Sequence, residues 1–455
     1  MEVWQSLRSA RRSRRQSWLW WFSGRSSPPQ LLAVSISTWE GAVHFWEVPF
    51  FFVCGAVGMA VAGNLPFMLA ARLVTGFGVG VCSHSVPMYI SECAPAAYRG
   101  SLCFLNDMCV VFGQVMAAAI SAAFFYGEVW NSWRWILGLA AVPSAFMLVG
   151  FLLVPESPRW LVMKGRTDEA RAVLRQLRSG ANHEDVDKEL QSICEQSVEQ
   201  MKLREPGLKK YIFDPAVRRP LLLGCSLQCV QQWTGINTII YYGGTILQMS
   251  NSGHIQGEFE DPFSAQNKHN VALTILINSA QLVGVLLSWF LVDRLGRKPL
   301  LLTSMTGVIV ALVAMGGIYT LETTPKAVVV TIMMLYLVFF GLGMSPVPWT
   351  VNAEIHPTDC RSRSISFSTS VNWSMNWVVS QIFLNLATAL STNRESPSQH
   401  PNGIFWLFAF IGLVGMVGFA AKMPETKGKS LEEIAQLFSD SRQADAKHST
   451  SADVS

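Results

Sequence analysis

Two adjacent amides, followed by a third, interrupt a long apolar stretch in the middle of the sequence. They are Gln231, Gln232 and Asn237, with Gly235 between them. Unsatisfied amides are costly in hydrocarbon, and they usually face a bundle interior or a water-filled cavity. Because each amide head both donates and accepts hydrogen bonds, the set suits a neutral solute covered with hydroxyl groups. The residues alone leave equally open a structural interpretation, in which the amides bond to neighbouring helices.

The composition places these amides in a membrane protein. The chain has 455 residues, of which 50% are hydrophobic and 15% charged, and its mean hydropathy is +0.29. An apolar run of about 20 residues is long enough to cross a bilayer as a helix, so we predict an all-α membrane protein with about ten spans. The predicted spans are residues 48–64, 66–90, 102–126, 134–154, 218–247, 270–292, 299–321, 327–349, 364–391 and 403–423.

Basic residues are concentrated in alternate loops between these spans. They occur near Arg99, Arg297 and Arg361, throughout 155–219 and in the tail after Lys422. The intervening loops hold few basic residues, so the positive-inside rule makes the basic loops cytoplasmic and places both termini inside the cell. We expect a multi-pass protein of the plasma membrane. Topology accounts for the formal net charge of +4, and no nucleic-acid partner is needed to explain it.

A repeat divides the chain into two halves. Residues 92–99 and 354–361 carry Glu, Pro and Arg at identical offsets, and each copy is followed by two further predicted spans. Parallel repeats of this kind are typical of transporters built from two related halves. In the second half four predicted spans precede the copy, whereas in the first half only two precede it. The pattern therefore predicts a first half that lacks its first two spans.

The repeat gives the expected domain organisation. Residues 48–159 form an incomplete N-terminal transmembrane lobe, 160–217 a cytoplasmic helical linker, 218–424 a six-span C-terminal lobe and 425–455 a cytoplasmic tail. Residues 1–47 are atypical, because they combine arginines, tryptophans and a Ser/Pro patch. They could be a targeting segment or an interfacial anchor. Because two spans are missing from the repeat, we favour a third interpretation, in which this segment is not native coding sequence.

Several motifs in order along the chain carry a resemblance to a known family. Over about residues 48–438 the sequence resembles the sugar porters of the major facilitator superfamily. The segments 245–250, 349–355 and 371–376 are most similar to the proton-coupled myo-inositol transporters of that family. The resemblance implies a two-lobed helical bundle that needs no cofactor. The family motifs are Pro155–Trp160, Gln231–Asn237, Asp293–Lys298, Pro346–Trp349 and Pro424–Gly428.

The resemblance also implies a substrate site. It gives a sugar-contacting role to the amides Gln231, Gln232 and Asn237, and it matches Trp349 to the family's aromatic residue below the sugar. An indole offers an apolar face to the C–H side of a polyol ring and an N–H to an oxygen. Trp349 could instead be an interfacial belt residue, but the prolines beside it favour a broken, mobile helix. Further pocket positions implied by the resemblance are Gln281, Asn376 and Trp377.

Two charged residues in predicted spans are candidates for proton coupling. Asp107 stands where many sugar porters carry a substrate-contacting Gln, and a carboxylate at membrane depth is often a proton carrier. Arg72 stands at the family's position for an Arg that pairs with an acid on the first helix. Each has a simpler interpretation as well. Asp107 could be hydrated near the cytoplasmic end of its span, and Arg72 could snorkel to the outer interface.

Charged loop residues of both halves resemble the family's cytoplasmic ion-pair network. Such pairs would hold the halves together when the carrier opens outward and would separate when it opens inward. An exposed ion pair contributes about 0–1 kcal/mol, which suits a latch that must release. The same charges could simply set the topology. The residues are Glu92, Arg99, Arg159, Asp293, Arg294, Arg297, Glu354 and Arg361.

Together these features predict a carrier rather than an enzyme. The nine cysteines have no zinc-ligand spacing, and we find no metal cluster, nucleotide motif or nucleophile constellation in the sequence. We predict secondary active, proton-coupled transport of myo-inositol or a related polyol by alternating access. Two alternatives remain open: a facilitated hexose transporter, and a truncated product that does not transport or acts as a sensor.

Overall fold

The computed structural model describes residues 47–95, 99–129, 131–180, 182–202, 211, 213–249, 265–321, 325–357, 360–392, 400–429, 433–434 and 437–438. The atypical N-terminal segment lies outside the described residues except for Glu47, and so does most of the predicted tail. All described helices belong to one unit that runs from Phe45 to Ser455.

A capping residue begins the longest helix of the first half. Asn64 caps the helix Leu65–Cys93, since its side-chain oxygen accepts a hydrogen bond from the backbone N–H of Phe67 at 2.9 Å. Pro66 follows in the first turn, where its missing N–H removes no helical hydrogen bond. α1 packs against α2, α4 and α5. The helices are α1 (Glu47–Val61), α2 (Leu65–Cys93), α3 (Arg99–Tyr126), α4 (Ser132–Leu139) and α5 (Ala141–Leu153).

Three helices link the halves. Their apolar sides form a small core of their own, in which Leu161 and Leu174 are buried. Arg178 ties this linker to α2, because its guanidinium donates to both carboxylate oxygens of Glu189 at 2.7 and 3.1 Å and to the carbonyl oxygen of Cys93 at 3.0 Å. The linker helices are α6 (Pro158–Met163), α7 (Thr167–Leu177) and α8 (His183–Lys202).

In the second half, the apolar run predicted as one span at 218–247 is two helices. The break lies at Gly235, whose φ of +86° is left-handed. A Cβ at this position would lie 2.6 Å from the ring of Phe408, so glycine is required by both conformation and space. The helices of this half are α9 (Pro215–Trp233), α10 (Ile236–Met249), α11 (Ala265–Leu295), α12 (Arg297–Ile318), α13 (Lys326–Phe339), α14 (Pro346–Glu354), α15 (Arg361–Ala389) and α16 (Asn402–Lys422).

A second irregularity separates α13 from α14. The two are joined by a π-helical turn, Phe340–Met344. Pro348 has no N–H, so the carbonyl of Met344 four residues earlier lacks its usual helical donor. That carbonyl is therefore available to a side chain from another helix.

Among the described residues, seven helices are long and apolar enough to cross a membrane. A shorter apolar helix covers Val48–Val61. α9 and α15 are not among the seven, because each carries amides and other polar side chains. The predicted all-α class is confirmed for the described residues, while the number of spans stays a prediction. The seven are Leu65–Ile90, Ser101–Tyr126, Ser132–Leu153, Val271–Leu295, Arg297–Ile318, Lys326–Glu354 and Asn402–Lys422.

The two halves meet along α3. This helix packs on α11 and touches α14, and α2 contacts α15. Phe104 of α3 is fully buried in the apolar core of the second half. The polar residues of α9, α14 and α15 therefore lie close to the junction of the halves.

Candidate substrate site

The predicted amides are part of one hydrogen-bonded cluster, and Asn372 is its centre. The Nδ2 group of Asn372 donates to Oε1 of Gln228 at 2.6 Å and to Oε1 of Gln231 at 2.9 Å. Its Oδ1 accepts from Nε2 of Gln232 at 3.1 Å. Asn237 completes the cluster, donating from Nδ2 to Oε1 of Gln232 at 2.6 Å. We call these five residues the amide cluster.

The local sequence explains how α9 and α10 supply four of the five amides. Gln228, Gln231 and Gln232 are three and four residues apart, so they share one face of α9. The break at Gly235 brings Asn237, in the first turn of α10, back over Gln232. The carbonyl of Thr234, which lies at the break, accepts a hydrogen bond from the hydroxyl of Tyr336 at 2.9 Å.

The irregular turn before α14 also contacts the amide cluster. Nε2 of Gln231 donates to the carbonyl oxygens of Met344 at 2.7 Å and Ser345 at 3.2 Å. The Met344 carbonyl is the one that Pro348 leaves without a helical donor. The amide cluster therefore joins α9, α10, α15 and the start of α14.

The cluster is nearly closed to solvent. Gln228, Gln231, Gln232 and Asn372 have exposed fractions of 0%, 4%, 6% and 2%, whereas Asn237 is half-buried. The Oδ1 atom of Asn237 accepts no hydrogen bond from the described residues. Asn237 is therefore the accessible edge of a neutral polar patch inside apolar helices.

Among the described hydrogen bonds, none joins the other predicted substrate residues to this cluster. Asn376, one turn beyond Asn372, is 8% exposed and accepts from the hydroxyl of Ser380 at 3.3 Å. Gln281 is buried in α11, and Trp349 is half-buried in α14. Trp377 is 66% exposed. Their roles in substrate binding stay predictions.

Asp107 forms a hydrogen bond across the junction of the halves. The hydroxyl of Ser345 donates to its carboxylate, with distances of 3.0 Å to Oδ2 and 3.2 Å to Oδ1. Because the Ser345 carbonyl also accepts from Gln231, Asp107 is connected to the amide cluster through a single residue. Arg72 is exposed, and no described carboxylate pairs with it.

Two gate residues of the second half, Arg297 and Glu354, are paired with each other. Arg297 contacts Glu354 at 3.3 Å, and both side chains are largely buried. Glu425 caps α12, accepting from the backbone N–H groups of Arg297 and Lys298 at 2.9 Å each. Burial raises the pKa of Glu425, but backbone N–H donors, including that of Lys427, outweigh this effect and lower it below the ordinary value.

In the first half, Glu92 accepts a short hydrogen bond from the hydroxyl of Ser157. Burial raises the pKa of Glu92, although Ser157 and the charge of Arg159 oppose the rise. The side chain of Arg99 lies outside the described set, and Asp293 and Arg294 are exposed.

Arg361, the last gate residue, donates from Nε to the carbonyl of His356 at 3.3 Å. Among the described residues, Arg166 pairs with Glu156 at the start of the linker and with Glu169, Arg171 and Arg178 pair within the linker, and Arg297 pairs with Glu354 within the second half. None of these five ion pairs joins the two halves. A latch between the halves therefore stays a prediction.

Sequence reasoning missed two members of the amide cluster. Gln228 could have been found, since it lies three residues before Gln231 on the same helical face. Asn372 could not be assigned to the cluster from its spacing, because its partners on α9 are more than a hundred positions away in sequence.

These features define a polytopic helical membrane protein with a buried, uncharged hydrogen-bonding site at the junction of two halves. The family model for the sugar (and other) transporter family matches residues 45–438. The chain belongs to this family, so it is a membrane transport protein and not an enzyme, as predicted.

Several curated proteins are similar to the chain. The human proton myo-inositol cotransporter is 33% identical over 85% of this chain and 70% of its own length. Probable inositol transporter 2 of Arabidopsis thaliana is 29% identical, over 86% and 78% of the two chains. The glucose transporter GlcP of Staphylococcus epidermidis is 32% identical, over 84% and 79%.

A solved structure has the same fold. The proton:xylose symporter XylE of the major facilitator superfamily, bound to 6-bromo-6-deoxy-D-glucose, superposes with a TM-score of 0.72. The two are 25% identical, and the superposition covers 87% of this chain and 82% of XylE. The predicted major facilitator fold is confirmed.

Proposed function

We propose that the protein is a secondary active carrier of myo-inositol or a related polyol, driven by protons and working by alternating access. The observation that carries this proposal is the amide cluster. Its five side chains are neutral, and together they offer donors and acceptors from helices that belong to different parts of the second half. A polyol ring presents the same two kinds of group in every direction.

The geometry of the amide cluster suits exchange with hydroxyl groups. A neutral hydrogen bond contributes a net of about 0.5–1.5 kcal/mol, so replacing an amide partner by a solute hydroxyl changes little in free energy. Asn237, with its open Oδ1 and half-buried head, is the natural first contact. If the solute displaced Asn237 from Gln232, the hydrogen bond between Gln232 and Asn372 would also change. Solute binding at α10 would in this way affect α15.

The hydrogen bond between Ser345 and Asp107 supports proton coupling. A carboxylate at membrane depth is a functional-site candidate by default. A proton on Asp107 would remove its charge and weaken its hold on Ser345, whose carbonyl is bonded to Gln231. Solute binding at the amide cluster and protonation of Asp107 would then both change the hydrogen bonds of Ser345.

The relatives support polyol as the substrate class, since proteins named for inositol transport are similar along most of this chain. Facilitated hexose transport is the second candidate, favoured by the similarity to the glucose transporter GlcP. Both solutes are hydroxylated rings, so the amide cluster fits either.

For location, we infer a plasma-membrane protein with both termini in the cytoplasm. The basic residues near Arg297 and Arg361 support this orientation. Intact cells that express the protein with a C-terminal tag are treated with a protease that cannot cross the membrane. We expect the tag to stay uncleaved, and its cleavage would contradict the orientation.

Uptake by liposomes containing the purified full chain tests the transport proposal. Labelled myo-inositol and glucose are offered at limiting concentration, with and without an inward proton gradient. We expect saturable myo-inositol uptake that rises with the gradient and falls when a protonophore dissipates it. Glucose uptake that is equal with and without the proton gradient would favour facilitated hexose transport. Absence of uptake of both solutes would contradict a carrier of this substrate class.

A further inference from the structure

A groove of about 1040 Å³ runs between α9 and α16. One wall carries Leu222 and Val230 of α9, and the other carries Phe410 and Val414 of α16. At one end lie two cations, Arg219 and Lys422. We call this feature the α9–α16 groove.

The α9–α16 groove is separate from the amide cluster. Successive residues of an α-helix are rotated by about 100°, as 3.6 residues per turn require. Leu222 and Ser226, which line the groove, therefore lie on the side of α9 opposite Gln228 and Gln231. Any ligand of the groove would therefore contact the face of α9 opposite the amide cluster.

The groove walls face the membrane. α16 is one of the helices long and apolar enough to span a bilayer. Leu222, Phe410 and Val414 have exposed fractions of 61%, 62% and 57%, which in a membrane span means contact with lipid chains. The groove is thus an apolar slot that opens where acyl chains are present.

The charged end of the groove fits an anion. Lys422 is the last residue of α16, and Arg219 lies near the start of α9, so both are at the membrane boundary. Among the described residues that line the groove, none is acidic. Basic pockets between transmembrane helices at this depth can bind the headgroups of acidic lipids.

We propose that the α9–α16 groove binds one anionic phospholipid. Its phosphate group lies at Arg219 and Lys422, and an acyl chain lies along Leu222 and Phe410. The two cations select an anionic headgroup over a zwitterionic one, because the described residues of the lining include no carboxylate to pair with a choline or ethanolamine nitrogen. The apolar walls select a lipid over free phosphate.

Two kinds of variant separate charge from shape. Arg219→Gln with Lys422→Gln removes the cations. Gly418→Leu places a larger side chain in the groove, and no described atom lies within 4 Å of a Cβ built at Gly418. Gly150→Leu is the matched control, because Gly150 also has nothing within 4 Å and lies in α5 away from the groove.

The experiment is native mass spectrometry of the purified full chain, titrated with phosphatidylglycerol or phosphatidylcholine of the same acyl chains. Lys429→Gln serves as the control for loss of charge outside the groove. A melting measurement on delipidated protein is made for each variant, and only variants that melt like the wild type are compared.

We expect one phosphatidylglycerol to bind more tightly than phosphatidylcholine. The double charge variant should lose roughly fivefold in phosphatidylglycerol affinity per cation removed, which is the size expected for a basic residue at an anionic lipid surface. Gly418→Leu should weaken binding of both lipids, and Gly150→Leu and Lys429→Gln should bind like the wild type. Equal affinity of the wild type for both lipids would overturn the proposal. So would full binding by Gly418→Leu, or displacement of the lipid by inorganic phosphate alone.

Discussion

Ser345 donates its hydroxyl to the carboxylate of Asp107, 238 positions away in the chain, and so bonds the second half of the protein to the first. The backbone carbonyl of the same serine accepts from Gln231. One residue thus contacts both the proton-coupling candidate and the amide cluster.

Replacing Asp107 by Asn should uncouple transport from the proton gradient. The amide keeps an acceptor for Ser345 but cannot take up a proton. We expect gradient-driven myo-inositol uptake by liposomes to fall to the level seen without a gradient, while exchange of labelled for unlabelled solute continues. Asp168→Asn, at an exposed carboxylate of the linker helix α7, is the control. Gradient-driven accumulation that survives in Asp107→Asn would exclude Asp107 as the coupling group.

Truncating Asn372 should weaken solute binding more than any single change at its periphery. Asn372→Ala removes three hydrogen bonds and leaves buried amides unpaired, each at a cost of about 1–3 kcal/mol. We expect the KM for uptake to rise by roughly tenfold or more, the factor that about 1.4 kcal/mol produces. Asn385→Ala, at an exposed position of the same helix, should leave KM unchanged. Equal KM values for the two variants would remove Asn372 from the site.

Replacing Gly235 by Ala should destabilise the protein. A left-handed conformation costs an alanine roughly 1–2 kcal/mol, and its Cβ would also press against Phe408. We expect a lower melting temperature in detergent. Gly244→Ala is the control, because that glycine lies inside α10 with nothing within 4 Å of its Cβ position. A Gly235→Ala protein as stable as this control would show that the break between α9 and α10 does not depend on glycine.

The sequence could predict three members of the amide cluster but not its full composition. Gln231, Gln232 and Asn237 stand out because amides are rare in an apolar run. The membership of Asn372 depends on how α9 packs against α15, a long-range contact that helical periodicity does not specify. The exposure of Trp377 depends on the rotation of α15, which that same packing fixes.

The breaks in the helices were only partly predictable. The prolines around Trp349 indicated an irregular helix, and the structure has a π-helical turn just before them. The run at 218–247 has no proline after Pro220, so its apolar pattern predicted one span. The left-handed Gly235 divides it, and a glycine in an apolar helix does not by itself indicate a break.

Acid should weaken the fold through His356. Burial lowers the pKa of His356 to about 3, and the charge of Arg361 contributes. The unfolded chain would titrate near 6.5, so between about pH 6.5 and pH 3 the unfolded state binds more protons and stability falls as the pH falls. The slope is at most roughly 1.4 kcal/mol per pH unit.

His356→Gln should remove this part of the pH dependence, since an amide can still bond to Asn352 without taking up a proton. Nε2 of His356 lies 3.0 Å from Oδ1 of Asn352. Thermal melting of wild type and variant between pH 7 and pH 5 checks the effect, with His183→Gln, at an exposed histidine, as the control. An equal fall in melting temperature from pH 7 to pH 5 in wild type and His356→Gln would contradict the assignment of this pH dependence to His356.

Equilibrium binding of labelled myo-inositol to the purified protein, at fixed pH and without a gradient, tests the role of the amide cluster most directly. The variant carries Gln232→Ala with Asn237→Ala, and Asn385→Ala is measured beside it. We predict at least a tenfold weaker Kd for the double variant and an unchanged Kd for the control, in proteins that melt alike. Undiminished binding by the double variant would show that the amides do not hold the solute.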